Sequence, residues 1–520
     1  MRTPCETTNR LLPAGHVSCE EQARPWILAS TILASSMAFI DSTAINVALP
    51  ALQKGLHATL VDVQWVVESY GLFLAALILA GGSLGDLYGR RKIFLAGNVI
   101  FALASVACGA APTTQLLIVA RSIQGIGAAL LVPGSLAIIS SSFDEKGRGQ
   151  AIGTWSGFTS ITMAVGPVLG GWLVEHVSWR WVFFINFPIA VAVIGISVWK
   201  IPESRSGIEA RLDWPGAILA TLGLAGMVFG FIESSNLGWT SPIVFGSLVA
   251  AIACLTVFAM IEYRSAFPMV PLALFKNSGF SGANSLTLLL YAAVGIFFFL
   301  LPMNLIEVQG YSATEAGAAI LPFILLMFLL SRWSGGLVAR YGAKKPLIVG
   351  PLVAALGFVL FVVPSVRACY WESFFPALIM LGLGMAITVA PLTTSVMNSV
   401  DRERIGTASG MNNAIARAAS VLGIALFGIV VIVAFRARLE PALNHLSLSP
   451  ADLQEIHAQE NRLAGLQPPG NLDPERKAAI SAFAQQGFVF GFRIVMMICA
   501  GLSVASAAIA FLMVPNAGVH

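Results

Sequence analysis

Charge is what this sequence has least of. Only 11% of its 520 residues are Asp, Glu, Lys or Arg, where soluble domains carry about 25%. A soluble body of this size could not cover its surface with so few charges, so lipid must be the solvent for much of the chain. The formal net charge of +4 is too small for a nucleic-acid-binding surface. Cysteine is scarce and scattered. Cys5, Cys19, Cys108, Cys254, Cys369 and Cys499 form no CxxC pair and have no His at ligand spacing, which argues against a disulfide framework and against a metal site. His16, His57, His176, His445, His457 and His520 lie in tails, loops or span ends. With no HExxH and no Ser-His pairing, no catalytic residue is assigned. No Gly-Lys dipeptide occurs, so there is no Walker A loop and no direct use of ATP is expected. The N-terminal tail has no A-x-A site behind a short apolar core, so no cleavable signal peptide is expected.

What is abundant is apolar length. Hydrophobic residues make up 57% of the chain, and the mean hydropathy is +0.81. A spanning helix needs about 20 apolar residues. Candidates fall near 26–49, 63–83, 92–111, 114–138, 150–173, 181–200, 214–233, 243–261, 281–303, 313–333, 346–364, 373–393, 408–434 and 487–514. The expected fold class is therefore an all-α membrane protein with fourteen transmembrane helices. An even count returns both termini to one side, and Lys and Arg decide which. One set of loops holds Arg90, Arg91, Lys92, Lys146, Arg148, Lys200, Arg205, Arg211, Arg264, Lys276, Arg340, Lys344, Lys345, Arg402 and Arg404, against Lys54, Arg180 and Arg367 in the opposite short loops. Both termini are expected in the cytoplasm. The polar stretch 436–486 is expected outside, since long loops cross largely regardless of charge. Within it, Ser449-Pro450 and Asp473-Pro474 read as the starts of two short helices, with Pro468-Pro469-Gly470 turning between them.

The chain also repeats itself. Residues 82–92 read GSLGDLYGRRK and residues 335–345 read GGLVARYGAKK, so Gly82, Leu84, Gly89 and a basic pair return as Gly335, Leu337, Gly342 and Lys344-Lys345. Ala339 stands where the first copy has Asp86. Weak symmetry at wide spacing marks duplicated transporter halves. The expected organisation is a tail 1–25, a six-helix half 26–200, two linker spans with flanking loops 201–277, a second six-helix half 278–514 containing the external loop 436–486, and a tail 515–520.

Ionisable groups at bilayer depth cost about 2.5–3.5 kcal/mol or more and mark function. Asp41 in the first span, Glu68 in the second and Arg121 in the fourth are the candidates for proton coupling. For Asp41 the alternative is structural hydrogen bonding to Thr43, Asn46 or Arg121. The second half differs: Arg417 and Arg493 are its main embedded charges, Glu307 and Glu315 sit near span ends, and no carboxylate lies centrally in its spans. Asn46, Gln124, Asn412, Asn413 and Arg417 are candidates for lining a substrate cavity. Phe297, Phe298, Phe299, Phe323, Met327 and Phe328 either line a greasy cavity or pack between helices.

At these residues the sequence resembles the major facilitator superfamily, and within it the 14-span drug:proton antiporter branch. The likeness covers nearly the whole chain. GSLGDLYGRRK resembles the loop between spans 2 and 3. IDSTAINVALP at 40–50 is similar to the first-span motif, RSIQGIGAA at 121–129 to the fourth-span motif, and WRWVFFINFPI at 179–189 to the entry of span 6. Gly153, Gly166, Pro167, Gly170 and Gly171 resemble the fifth-span antiporter motif, with Thr162 where glycine is common. The resemblance implies the major facilitator fold, two six-helix halves plus two central extra spans. It implies that Gly82, Asp86, Gly89, Arg90 and Arg91 form a conformational latch. It also implies proton-coupled efflux of small amphipathic compounds by alternating access, with a proton gradient in place of any cofactor. The implied location is a bacterial inner (plasma) membrane, with either a periplasmic adaptor or a monomer. A dedicated exporter of one metabolite, antibiotic or lipid is the alternative; a non-transporting sensor or a membrane enzyme stands further off.

Overall fold

A computed structural model of the protein describes residues 23–143, 145–205, 213–265, 268, 270–400, 405–446 and 448–515. The N-terminal tail through residue 22, the C-terminal tail from 516, and the loop cations Arg211, Arg402 and Arg404 lie outside the described residues. Among the described residues all regular structure is helical. The chain runs through α1 Arg24–Leu56, α2 Leu60–Tyr88, α3 Arg90–Ala110, α4 Thr114–Ser142, α5 Glu145–His176, α6 Trp181–Phe184, α7 Asn186–Lys200, α8 Trp214–Leu237 and α9 Pro242–Arg264. It continues through α10 Ser278–Met303, α11 Ala313–Ala319, α12 Leu321–Tyr341, α13 Lys344–Leu360, α14 Phe375–Asn398, α15 Ile405–Leu443, α16 Pro450–Gln459 and α17 Pro474–Met513.

Every expected span falls on helix, two of them on a broken pair: 181–200 on α6 and α7, and 313–333 on α11 and α12. Among the described residues, thirteen helical stretches are long and apolar enough to cross a membrane, which makes this a multi-pass membrane protein. The remaining expected span, 346–364, coincides with α13, whose 17 residues are shorter than the others; Pro364 bars its continuation. In bilayer, backbone groups must be satisfied within the chain, so uninterrupted helices are the available solution. Only 11% of the apolar window of α9 is buried. Ile243, Phe245, Val249 and Ile252 stand exposed on that helix, a surface that lipid accepts and water does not.

The stretch 436–486 is less of a loop than its polarity suggests. Both flanking spans extend into it, α15 to Leu443 and α17 from Pro474. Ser449 caps α16 as expected, accepting from the Asp452 amide in a capping box. The Ser449 hydroxyl donates to Asp452 Oδ2 and the Asn471 amide to Oδ1, and these bonds hold the Asp452 carboxyl below the usual range. A depressed folded-state value gives stability above the ordinary aspartate pKa, lost as pH falls through the folded value, so this cap loosens only in acid. Asp473 also caps a helix as expected, but that helix is the 40-residue α17 rather than a short one. Nothing after Pro474 breaks it, so the polar start and the apolar span form a single element.

The contacts divide the chain into two compact units. One takes in the described parts of Met1–Ile45, Ser69–Ala225 and Ala251–Ala273; the other takes in Asn46–Glu68, Gly226–Ala250 and the described parts of Leu274–His520. Within the first, α3 packs along α4 and α7; within the second, α13 packs along α14 and α17, and α10 along α15 and α17. Small residues set the closest approaches. A Cβ on Gly127 of α4 would lie 2.6 Å from the Phe101 amide of α3, and a Cβ on Gly357 of α13 would lie 2.6 Å from the Leu381 amide of α14. The repeat seen in sequence is also conformational. Gly89 turns the chain from α2 to α3 with φ 115°, and Gly342 turns it from α12 to α13 with φ 72°, a region that side chains disfavour.

Candidate functional site

The first unit buries a carboxylate and a guanidinium together. Asp41 on α1 is 0% exposed and Arg121 on α4 is 1% exposed. Arg121 Nη1 donates to Asp41 Oδ2 at 2.5 Å and to Gln124 Oε1 at 2.8 Å. The other carboxylate oxygen, Oδ1, accepts from Gln124 Nε2 at 2.8 Å and Asn186 Nδ2 at 3.0 Å. Ser105 on α3 accepts from both amides and donates onward to the Phe183 carbonyl. The guanidinium lies 4.3 Å from the Tyr70 ring centre and 5.7 Å from that of Phe183, so aromatic faces share its charge. Low dielectric makes each of these contacts strong and makes loss of any partner costly.

Local sequence explains the assembly. Arg121 and Gln124 are three apart on one helix and so share a face. Asn186 opens α7 after the break at Ile185 between α6 and α7. The Thr43 hydroxyl turns back to the Phe39 and Ile40 carbonyls rather than to Asp41. Of the three partners expected for Asp41, Arg121 is the one the structure supplies. Gln124, expected to line a cavity, is instead 0% exposed and spent on the ion pair. Ser105, Asn186, Tyr70 and Phe183 were not singled out by sequence reasoning. Asn186 carried the available signal, a carboxamide inside an apolar span.

The fifth-span glycines bring α5 onto α1 beside this cluster. A Cβ on Gly170 would meet the Cβ of Ala44 at 2.7 Å and its Cα at 2.9 Å, and one on Gly166 would overlap the Thr43 hydroxyl. Pro167 and Gly171 are buried between and beyond them. Gly153 has nothing within 4 Å of an added Cβ, so packing does not account for its place in the motif. Gly170→Ala is expected to cost about 1–3 kcal/mol through overpacking against backbone, while Gly153→Ala leaves stability unchanged or slightly raised. Thermal unfolding in detergent separates the two; equal melting temperatures would remove the packing role of Gly170.

Glu68 on α2 presents the opposite situation to Asp41. It is 0% exposed, and neither carboxylate oxygen has a hydrogen-bond partner among the described residues. One turn earlier, Gln64 donates to the Ile424 carbonyl of α15 at 3.2 Å, so this stretch of α2 is tied down in the second unit. An unpaired charge here would face the full cost of desolvation.

The loop motif is built as a clasp. Arg90 donates to Asp86 Oδ1 from Nε at 2.9 Å and Nη2 at 2.7 Å. The Arg90 amide donates to the Ser204 carbonyl and the Arg91 amide to Glu203 Oε1. Glu203, absent from the sequence-based candidates, thus caps the N-terminus of α3, where negative charge is favoured. Its carboxylate lies 2.5 Å from where a Cβ on Gly89 would stand. Gly82 has only ordinary contact at 3.8 Å; the tight approach of α2 to α4 is at Gly81, against the Ala129 carbonyl.

In the second unit, Asn412 on α15 donates to Asn284 Oδ1 at 3.0 Å and Thr287 Oγ1 at 2.7 Å on α10. Its amide joins two helices rather than standing open to a cavity. Asn413 is exposed and bonds the Ser409 carbonyl one turn back. Arg417 and Asn46 are half-buried and each has a partner of its own. Phe297 packs on Phe358 and Phe361, and Phe298 on Phe323, so this run of rings fills the interior of the unit.

Comparison with known proteins places this geometry among related chains. The profile of the Major Facilitator Superfamily matches residues 31–424. The chain is 34% identical to the multidrug resistance protein Stp of Mycobacterium tuberculosis, over 93% of this chain and 90% of that one. It is 29% identical to the tetracenomycin C resistance and export protein of Streptomyces glaucescens, over 94% and 91%. Among solved structures, a bacterial homologue of the human lysosomal transporter Spinster superposes with a TM-score of 0.65 at 17% identity, covering 95% of this chain and 98% of that one.

Proposed function

Because this chain belongs to the Major Facilitator Superfamily, we propose that it exports small amphipathic, antibiotic-like compounds by alternating access, in exchange for protons. Membership makes it a membrane transporter of small molecules rather than an enzyme. The relatives named for multidrug resistance and for tetracenomycin C resistance and export span nearly its whole length, which supports drug efflux. Proton coupling rests on one observation above all: Asp41 is sealed with Arg121 inside a buried polar cluster, where both of its carboxylate oxygens accept hydrogen bonds. A proton arriving at Asp41 Oδ2 displaces the guanidinium from that oxygen, and the Tyr70 face and Gln124 remain to hold it. Loading and unloading that proton switches the cluster between two bonding patterns. Glu68 is the second proton carrier. One charge crossing 100 mV supplies about 2.3 kcal/mol, roughly fifty-fold accumulation per proton.

In this reading the proton gradient replaces any cofactor. The Asp86–Arg90 clasp and Glu203 form a latch on the cytoplasmic side of a bacterial inner membrane, both termini are cytoplasmic, and the protein works as a monomer or with a periplasmic adaptor. The test is proton flux in inverted vesicles energised by respiration, challenged with lipophilic cations, zwitterions and anions. A compound that dissipates the pH gradient in wild type but not in Asp41→Asn supports antiport. Responses identical in the two would end the assignment of Asp41. The single-antibiotic name of the tetracenomycin relative favours a second reading, a dedicated exporter, for which only one chemical class in the panel would respond.

A further inference from the structure

We propose that the cleft at the end of α1, within the second unit, binds an oxyanion group, a carboxylate or a phosphate, carried by a small molecule or a lipid. Gln53, Lys54 and His57 from the end of α1 line it, with Glu307 from the π-helical turn that follows α10 and with Arg462 and Gln467 from the segment after α16. Three basic side chains from two distant stretches of sequence thus meet in one place. The convergence is unusual for this chain, since Lys54 is one of three cations in the short loops assigned to the outer side.

The contacts show what the cleft accepts. Lys54 Nζ already holds a carboxylate, Glu307 Oε1, at 3.0 Å, and the Glu307 side chain is 11% exposed. Among the described residues the second cation, Arg462, has one hydrogen-bond partner, and it is neutral: Nη1 donates to Gln459 Oε1 at 3.3 Å. A guanidinium has five N–H groups in a fork that matches carboxylate and phosphate. Beside it, Gln53 is 8% exposed and its Nε2 has no hydrogen-bond partner among the described residues. A buried amide donor without an acceptor is rare in folded proteins. An incoming oxyanion would accept from Arg462 and, after rotation of the terminal amide, from Gln53.

The backbone points the same way. His57 occupies the left-handed region at φ 52°, where the α1 helix ends. The Ala58 amide closes the turn on the Gln53 carbonyl at 3.0 Å, a C-terminal motif in which glycine is usual. Histidine there is strained, and strain retained at a ligand-lining position is a mark of use. The π-helical turn that carries Glu307 is a second such mark.

The site is read by binding, so it does not rest on proton coupling. The full-length protein in nanodiscs of zwitterionic lipid is titrated calorimetrically with inorganic phosphate and, separately, with acetate. Wild type should give saturable binding of at least one probe. Arg462→Gln should weaken it about tenfold, the loss expected of a charge-assisted contact, and Gln53→Leu should weaken it by a smaller factor. Arg438→Gln, an exposed cation on α15 outside the cleft, should leave it unchanged. If Arg462→Gln is not monodisperse, Arg462→Lys takes its place, keeping the charge but losing the planar fork, with a smaller loss expected. The titration is repeated with phosphatidylglycerol in the nanodisc. Competition by this lipid in wild type that Arg462→Gln abolishes assigns the site to a lipid headgroup; no competition assigns it to a soluble ligand. No saturable binding of either probe to wild type, or equal affinity in wild type, Arg462→Gln and Gln53→Leu, overturns the proposal.

Discussion

Asp41→Asn is expected to abolish proton-coupled export and to destabilise the protein in the same stroke. The carboxylate is the acceptor for three donors at once, from Arg121, Gln124 and Asn186. Asparagine has one acceptor oxygen and brings a donor of its own, so one of the three bonds is lost and an amide meets another amide. It also leaves the Arg121 guanidinium buried without its counter-charge. Breaking a buried ion pair from one side costs about 3–5 kcal/mol. The loss of transport and the loss of stability then need to be separated. Replacing both partners, Asp41→Asn with Arg121→Gln, removes the uncompensated charge and should recover most of the stability. It should not recover transport, because no carboxylate remains in the cluster to carry the proton. Melting temperature and vesicle proton flux on the two single variants and the double variant decide the matter. A double variant that transports with its proton dependence intact would show that the cluster is structural.

Glu68→Gln should behave in the contrary way, with a large effect on coupling and almost none on stability. Both oxygens of Glu68 are buried and without hydrogen-bond partners among the described residues, so in the proposed cycle the acid is neutral while it carries its proton. Glutamine is nearly isosteric and also neutral. The change in stability should stay within about 0.5 kcal/mol, the range of substitutions that touch no special feature. If Glu68 carries a proton through the cycle, glutamine fixes it in the loaded state and substrate-driven proton flux fails. Glu68→Asp keeps the titratable group and should restore part of it. A stable Glu68→Gln variant with wild-type flux would leave Asp41 as the lone proton carrier.

These two acids show how far sequence reasoning reaches. Both stood out as carboxylates inside apolar spans, a property of residue type and position alone. Nothing in sequence separated their roles. Asp41 and Arg121 are 80 residues apart, and the other side chains of the cluster come from Ser105 on α3, Gln124 on α4 and Asn186 at the start of α7. Gln124 was legible as a polar residue in a span but not as a buried one. Its neighbour in helical register, Arg121, turns that face toward α1. Glu203 was invisible because a glutamate in a loop after a span is ordinary. Only the return of that loop to the start of α3 makes it a cap. Asn412 shows the same limit from the other side, since its polarity fitted a cavity wall as well as it fitted the α10–α15 contact it makes.

By itself the sequence determined the solvent, the placement of the apolar helical stretches, and the internal repeat. Those follow from the length of apolar runs, from the scarcity of charge, and from glycines that later prove to have positive φ at Gly89 and Gly342. All three are properties of a residue and its chain neighbours. The tertiary structure decided which carboxylate is paired and which is bare, which glycine is pressed against a neighbouring helix, and which cations meet at the end of α1. Each of those depends on groups far apart in the chain reaching the same point at low dielectric, where one missing partner costs more than any local preference.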